Sequence, residues 1–120
     1  MNTIRVLIVD DVPQVRRELR TLLPLVGDIQ IVGEAANGLE AIEQAAALQP
    51  DVVLMDLEMP IVDGCEAARQ IKTGYPVCRV IALTIYNGEA ERRRAAQAGV
   101  DAFVVKGAPM AALVKAICQR

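Results

Sequence analysis

The feature that most restricts this chain is a set of five short apolar runs, each followed by a segment with helical spacing. The runs cover Ile4 to Val9, Ile29 to Glu34, Asp51 to Met55, Arg79 to Leu83 and Ala102 to Val105. They are nearly continuous in Val, Ile and Leu instead of alternating with polar residues, the pattern of strands covered on both faces. Between them the period changes to that of a helix. Val15, Leu19, Leu22, Leu23 and Val26 recur on one face with Arg16, Arg17 and Arg20 outside, after Asp11-Val12-Pro13, which reads as an N-cap with proline in the first turn. Asn37-Gly38 opens a second helix with Leu39, Ile42 and Ala46 inward, and Asp63-Gly64 a third that runs through Lys72 and stops at Gly74-Tyr75-Pro76. A fourth spans Asn87 to Ala98, and the last follows Ala108-Pro109 with Met110, Leu113, Val114 and Ile117 inward. Parallel neighbours need a crossover, so strict alternation predicts a doubly wound parallel α/β sheet in one domain over residues 1–120.

Composition narrows the chemistry. Hydrophobic residues make up 53% of the chain but aromatics only 2%, so the core is expected to be aliphatic. Histidine and serine are both absent, which excludes Ser-His and Cys-His machinery within the chain and leaves Asp, Glu, Lys, Thr and Cys as reactive groups. The cysteines, Cys65, Cys78 and Cys118, lack metal-type spacing and read as buried thiols of a reduced protein. A net charge of -2 is not the electrostatic footprint of a nucleic-acid binder. No leader-like segment opens the chain and no apolar run approaches a membrane span, so a cytoplasmic protein without membrane contact is expected.

Ligands of an open parallel sheet sit beyond the carboxyl ends of its strands. The residues there are Asp10 and Asp11 after the first strand, Glu34 after the second, Asp56 after the third, Thr84 after the fourth and Lys106 after the fifth. Singly, each has a plain explanation: a helix cap, a turn residue, a solvated charge. Jointly they are harder to dismiss, because two carboxylates about 5 Å apart repel by roughly 3 kcal/mol at an effective dielectric near 20. Mg²⁺ would offset that repulsion, since it binds through one or two carboxylates and completes its shell with water and phosphate oxygens. Asp56, closing a central strand, is then the candidate nucleophile toward phosphorus, with Lys106 and Thr84 placed to meet phosphoryl oxygens.

The segments VLIVDD at 6 to 11, VVLMDLEMPIVDG at 52 to 64, ALT at 82 to 84 and AFVVK at 102 to 106 resemble the receiver domains of two-component response regulators, nearly end to end. The resemblance implies a flavodoxin-like (βα)5 fold with strand order 2-1-3-4-5. It implies that Asp10, Asp11, Asp56 and the backbone carbonyl of Glu58 hold Mg²⁺, and that Asp56 accepts a phosphoryl group from a sensor histidine kinase. It further implies that Thr84 and Lys106 contact that group, and that Phe103 swings inward as Thr84 moves toward it. Such a domain is a switch, not a turnover enzyme.

Lys106 is followed by Gly107-Ala108-Pro109, and Lys-x-x-Pro before an amphipathic helix resembles the NarL/LuxR-type regulators, whose receivers usually precede a helix-turn-helix domain. DNA would then be bound by a separate C-terminal segment and not by residues 1–120. A stand-alone receiver acting through protein contacts is the alternative, and an Asp-nucleophile phosphatase a more distant one. Ile85 and Tyr86 are expected to narrow access to Asp56. The fourth helix offers only alanines to the core, so weak docking is expected. Its Arg92-Arg93-Arg94 run reads either as a solvated face or as a partner surface, a homodimer included.

Overall fold

The computed structural model describes residues 3–59, 61–85 and 88–119. Five strands and five helices alternate: β1 (Ile4–Val9), α1 (Pro13–Val26), β2 (Ile29–Ala35), α2 (Gly38–Leu48), β3 (Val52–Met55), α3 (Gly64–Gly74), β4 (Arg79–Thr84), α4 (Glu89–Gln97), β5 (Ala102–Val105) and α5 (Met110–Cys118). All pairings are parallel, in the order β2-β1-β3-β4-β5, as the resemblance implied. Pro60, Tyr86 and Asn87 lie outside the described residues, and with them the expected narrowing by Tyr86 and the expected first residue of α4.

Side chains alternate along each strand, so the sheet feeds two apolar layers. Val6, Ile8, Leu54 and Ile81 pack with Leu19 and Leu23 of α1 and Leu113 and Ile117 of α5. Leu7, Val9, Val53 and Met55 pack on the other face with Ala41 and Ala45 of α2, Ala67, Ala68 and Ile71 of α3, and Ala95 of α4. Each fully buried Val, Leu or Ile contributes about 1.5–3 kcal/mol, so the central strands carry most of the hydrophobic stabilisation.

Several local expectations shift. β2 runs through Glu34 to Ala35, because a register irregularity after Val6 skips Val32 and pairs Leu7 with Gly33, Ile8 with Glu34 and Val9 with Ala35. The N-cap of α1 is Val12, which makes no side-chain cap; the Val12 amide instead donates to Asp10 Oδ1, at 2.9 Å, so Asp11 is not the cap. On α1 only Leu19 and Leu23 are buried, while Leu22 and Val26 face solvent and Arg16 lies half-buried. On α2 the buried face is Gly38, Ala41 and Ala45, leaving Leu39 and Ala46 exposed. A Cβ at Gly38 would overlap the Val62 carbonyl, so small residues let α2 approach the β3–α3 loop and turn its larger side chains outward. Cys65 and Cys78 are buried as expected, but Cys118 is exposed at the end of α5.

Candidate functional site

The carboxyl rim is built by carrying the sheet's hydrogen bonds one residue past the strands. The Asp10 amide donates to Ala35 O (3.0 Å), the Asp56 amide to Val9 O (3.0 Å) and the Lys106 amide to Thr84 O (2.8 Å). Each functional side chain is thereby placed by backbone pairing with a neighbouring strand. Strands β1 and β3 are central and covered on both faces, so the two acids they present are themselves buried: Asp10 is 2% and Asp56 6% exposed. Thr84 is fully buried at the end of β4, and Asp11 stands exposed beside Asp10.

Carboxylate oxygens of Asp10, Asp11 and Asp56 all lie within 4.8 Å of one another. Lys106 reaches across from the end of β5, its Nζ 2.7 Å from Asp10 Oδ2 and 3.3 Å from Asp56 Oδ2. The second oxygen of Asp56 accepts the Glu58 amide at 3.1 Å, and that of Asp10 the Val12 amide. Burial pushes the Asp56 carboxyl above its ordinary range; the Glu58 amide and Lys106 pull it down and the charge of Asp10 pushes it up further. Burial also lowers the Lys106 ammonium, but the bond to Asp10 and the charges of Asp56 and Asp10 outweigh it and leave the group raised. An acidic pair with one shared ammonium is thus under-compensated at Asp56. Three hard oxygen donors with this deficit fit a small divalent cation.

The loop after Asp56 is tightly drawn. The Gly64 amide donates to Leu57 O at 3.1 Å, and a Cβ at Gly64 would meet the Asp56 carbonyl and the Leu57 Cα, so only glycine lets α3 start there. Asp63 caps that helix by accepting the Glu66 amide at 2.9 Å. Ile61 holds a φ of 72°, a left-handed conformation that a β-branched residue rarely adopts. Glu58 itself is exposed, and so is Ile85, at 64%.

The profile of the response regulator receiver domain matches residues 6–118. The chain belongs to the response regulator receiver family. Among its relatives, the response regulator protein VraR of Staphylococcus aureus is 46% identical over 104 residues, which cover 87% of this chain and 50% of that protein. The receiver therefore spans about half the length of the curated relatives it matches. Among solved structures, a LuxR-family two-component response regulator from Aurantimonas sp. SI85-9A1 is 36% identical, with coverage of 97% of this chain and 83% of that one and a TM-score of 0.91. A LuxR-family DNA-binding response regulator from Staphylococcus aureus is 30% identical, with coverage of 95% of each chain and a TM-score of 0.89. Receivers are signalling domains that bind Mg²⁺ at an acidic pocket, and Asp10, Asp11 and Asp56 form such a pocket here. Among the described residues no helix is long and apolar enough to cross a membrane.

The remaining sequence candidates are Phe103 and the arginines of α4. Phe103 is half-buried on β5 with the Arg92 guanidinium 4.5 Å from its ring centroid. The arginine run of α4 points three ways: Arg92 to Phe103, Arg93 to Glu89 of its own helix at 3.4 Å, and Arg94 to Asp63 at 3.8 Å. Sequence reading placed Gly64 at the start of the third helix but missed its close approach to the loop after Asp56, and it missed Ile61. It also left Arg16 on the solvent side, although the charged Glu34 at the end of β2 signalled a need for a cationic partner.

Proposed function

We propose that this receiver accepts a phosphoryl group on Asp56 from the phosphohistidine of a sensor histidine kinase. An Asp56 carboxylate oxygen attacks phosphorus, the bond from phosphorus to the donor imidazole nitrogen breaks, and the electron pair of that bond stays on the imidazole. The acceptor must be fixed and yet reactive. Burial at the end of a central strand fixes it, and a carboxylate that its surroundings under-compensate is better able to attack. The observation that carries the reading is Lys106 spanning Asp10 and Asp56 at a buried rim: once a phosphoryl group is on Asp56, that ammonium is positioned to meet its oxygens. Asp10, Asp11, Asp56 and the Glu58 carbonyl would hold Mg²⁺, which when bound supplies positive charge against the phosphoryl oxygens.

Thr84 is the proposed hydroxyl contact to the phosphoryl group, and Phe103 the aromatic that moves with it. The output is transcription through a DNA-binding segment outside residues 1–120, in keeping with the relatives' length and with a DNA-binding LuxR-family structure among them. A phosphatase with an acid two residues beyond its nucleophile is not favoured, because the Glu58 side chain is exposed and it is the Glu58 amide that serves Asp56.

Incubation with acetyl phosphate, followed by intact mass, tests the acceptor. One phosphoryl adduct that requires Mg²⁺ and disappears in Asp56→Asn is expected. An adduct that persists in the variant would overturn the assignment.

A further inference from the structure

Three carboxylates within 4.8 Å of one another repel, and Asp10 has to hold its place among them. Every polar atom of Asp10 is engaged. Its amide is bound to Ala35 O, and its two side-chain oxygens meet the Val12 amide and Lys106. The fourth, the carbonyl oxygen, accepts Arg16 Nη1 at 2.6 Å. The same guanidinium donates through Nε to Glu34 Oε1 at 3.2 Å, and its side chain is only 18% exposed. Glu34 is held in turn, its other carboxylate oxygen taking Arg20 Nη1 at 2.7 Å and its carbonyl taking Gln44 Nε2 at 2.6 Å. The irregularity in β2 is what makes this fit possible, because it sets Glu34 opposite Ile8 and Ala35 opposite Val9.

We infer that Arg16 is a positioning residue for Asp10: its fork ties the Asp10 carbonyl to Glu34 at the end of β2 and so fixes the acid that reaches toward the cation. The inference rests on reading Asp10 as a magnesium ligand. A guanidinium keeps its charge and offers donors in two fixed directions, whereas a lysine ammonium is a single point donor on a flexible stem and cannot hold both acceptors in this geometry. Lys106 cannot substitute, because it grips the side chain of Asp10 from the opposite side of the site and must be available to the phosphoryl group. Arg20 shares Glu34 with Arg16, but it is Arg16 that bonds the Asp10 carbonyl, which provides an internal comparison.

The test is a Mg²⁺ titration of the wild type and variants, followed through the backbone amide resonances of the rim, with urea midpoints recorded alongside. Supporting groups behind metal ligands typically change affinity by about 10- to 100-fold, and Arg16→Met, which keeps the buried stem, is expected to raise the half-saturating Mg²⁺ concentration by about 10-fold. Arg16→Lys should rescue part of that loss, and Arg20→Met should leave the midpoint where it is. A purely structural role would lower the urea midpoints of both arginine variants without separating their Mg²⁺ midpoints, and that result overturns the inference. If Arg16→Met does not fold, Glu34→Gln decides: a weaker Mg²⁺ midpoint supports the tie, an unchanged one refutes it. A wild type whose rim amides do not respond to Mg²⁺ removes the metal reading itself, whereas a responsive wild type matched by Arg16→Met removes only the role of Arg16.

Discussion

The two halves of the rim are held in different ways. On the β1–β3 side the acids extend a backbone ladder, rest on strands buried on both faces, and are braced by Arg16 and by the close contact at Gly64. On the β4–α4–β5 side, α4 itself buries only Ala95, with Ala98 just beyond it, and its reach to the rest of the protein is largely through exposed arginines. Its neighbour α5 shows what firm attachment looks like: Leu113, Ala116 and Ile117 are buried, and Arg79 of β4 forks onto the carbonyls of Ala116 and Ile117 at 2.6 and 2.9 Å. The clustered acids sit on the rigid half, and the element best able to move, α4, sits on the other, between the strands that present Thr84 and Lys106. A switch requires both.

Substitution of the cores should separate the halves most strongly. Leu54→Ala, in β3, is expected to cost about 2–5 kcal/mol in urea unfolding, while Ala95→Gly, in α4, should cost about 1 kcal/mol. Equal costs would break the contrast. Next comes the loop behind Asp56: a left-handed conformation costs an L-residue roughly 1–2 kcal/mol, so Ile61→Gly should raise stability by about 1 kcal/mol after the glycine's own entropy is allowed for. Loss of stability there would show that the Ile61 side chain, although 75% exposed, makes contacts that outweigh its backbone strain.

Smaller and more local is the effect of Arg92→Met. Removing the cation over Phe103 should weaken the closure of α4 by about 0.5–1 kcal/mol, seen as faster amide exchange confined to that helix. Exchange that also rises in β1 and β3 would mean the halves are not independent.

The last prediction is one of sign. The folded pKa of Asp56 is raised, so the stability linked to this group is full below its unfolded pKa, about 3.9, and is lost as pH rises through the folded value. At neutral pH and without divalent cation, Asp56→Asn should therefore be more stable than wild type. The advantage should shrink as pH falls through the folded value toward about 4 and be gone below it, where the wild-type carboxyl is protonated in both states. A variant less stable at pH 7 would show that the Lys106 pair outweighs burial.

Much of this was legible in the sequence because one physical signal dominates it. Short, nearly continuous Val-Ile-Leu runs are the pattern of buried strands, as β1, β3 and β4 prove to be, and Asp10, Asp56, Thr84 and Lys106 follow such runs directly, so fold and rim could be read together. Helix faces were harder. Leu39 and Ala46 were expected inward, but the crowding of Gly38 against Val62 rotates α2, and crowding depends on what lies opposite. Arg16 was invisible as a support for the same reason: its two partners are the end of β1 and the end of β2, brought beside it by the sheet. The arginines of α4 were read as one surface; the pairing of Arg93 with Glu89 one turn away is local, whereas the contacts of Arg92 with Phe103 and of Arg94 with Asp63 are assigned only by tertiary geometry.

Site-resolved native-state hydrogen exchange tests most directly the claim that a rigidly held Asp56 is paired with a loosely held helix. The amides of Leu54, Met55 and Asp56 should exchange only by global unfolding, while those of Ala95 and Ala98 should exchange at least about 100-fold faster through local opening of α4. Protection of α4 equal to that of β3 would contradict it, and would mean that its arginine contacts hold the helix as firmly as a buried core.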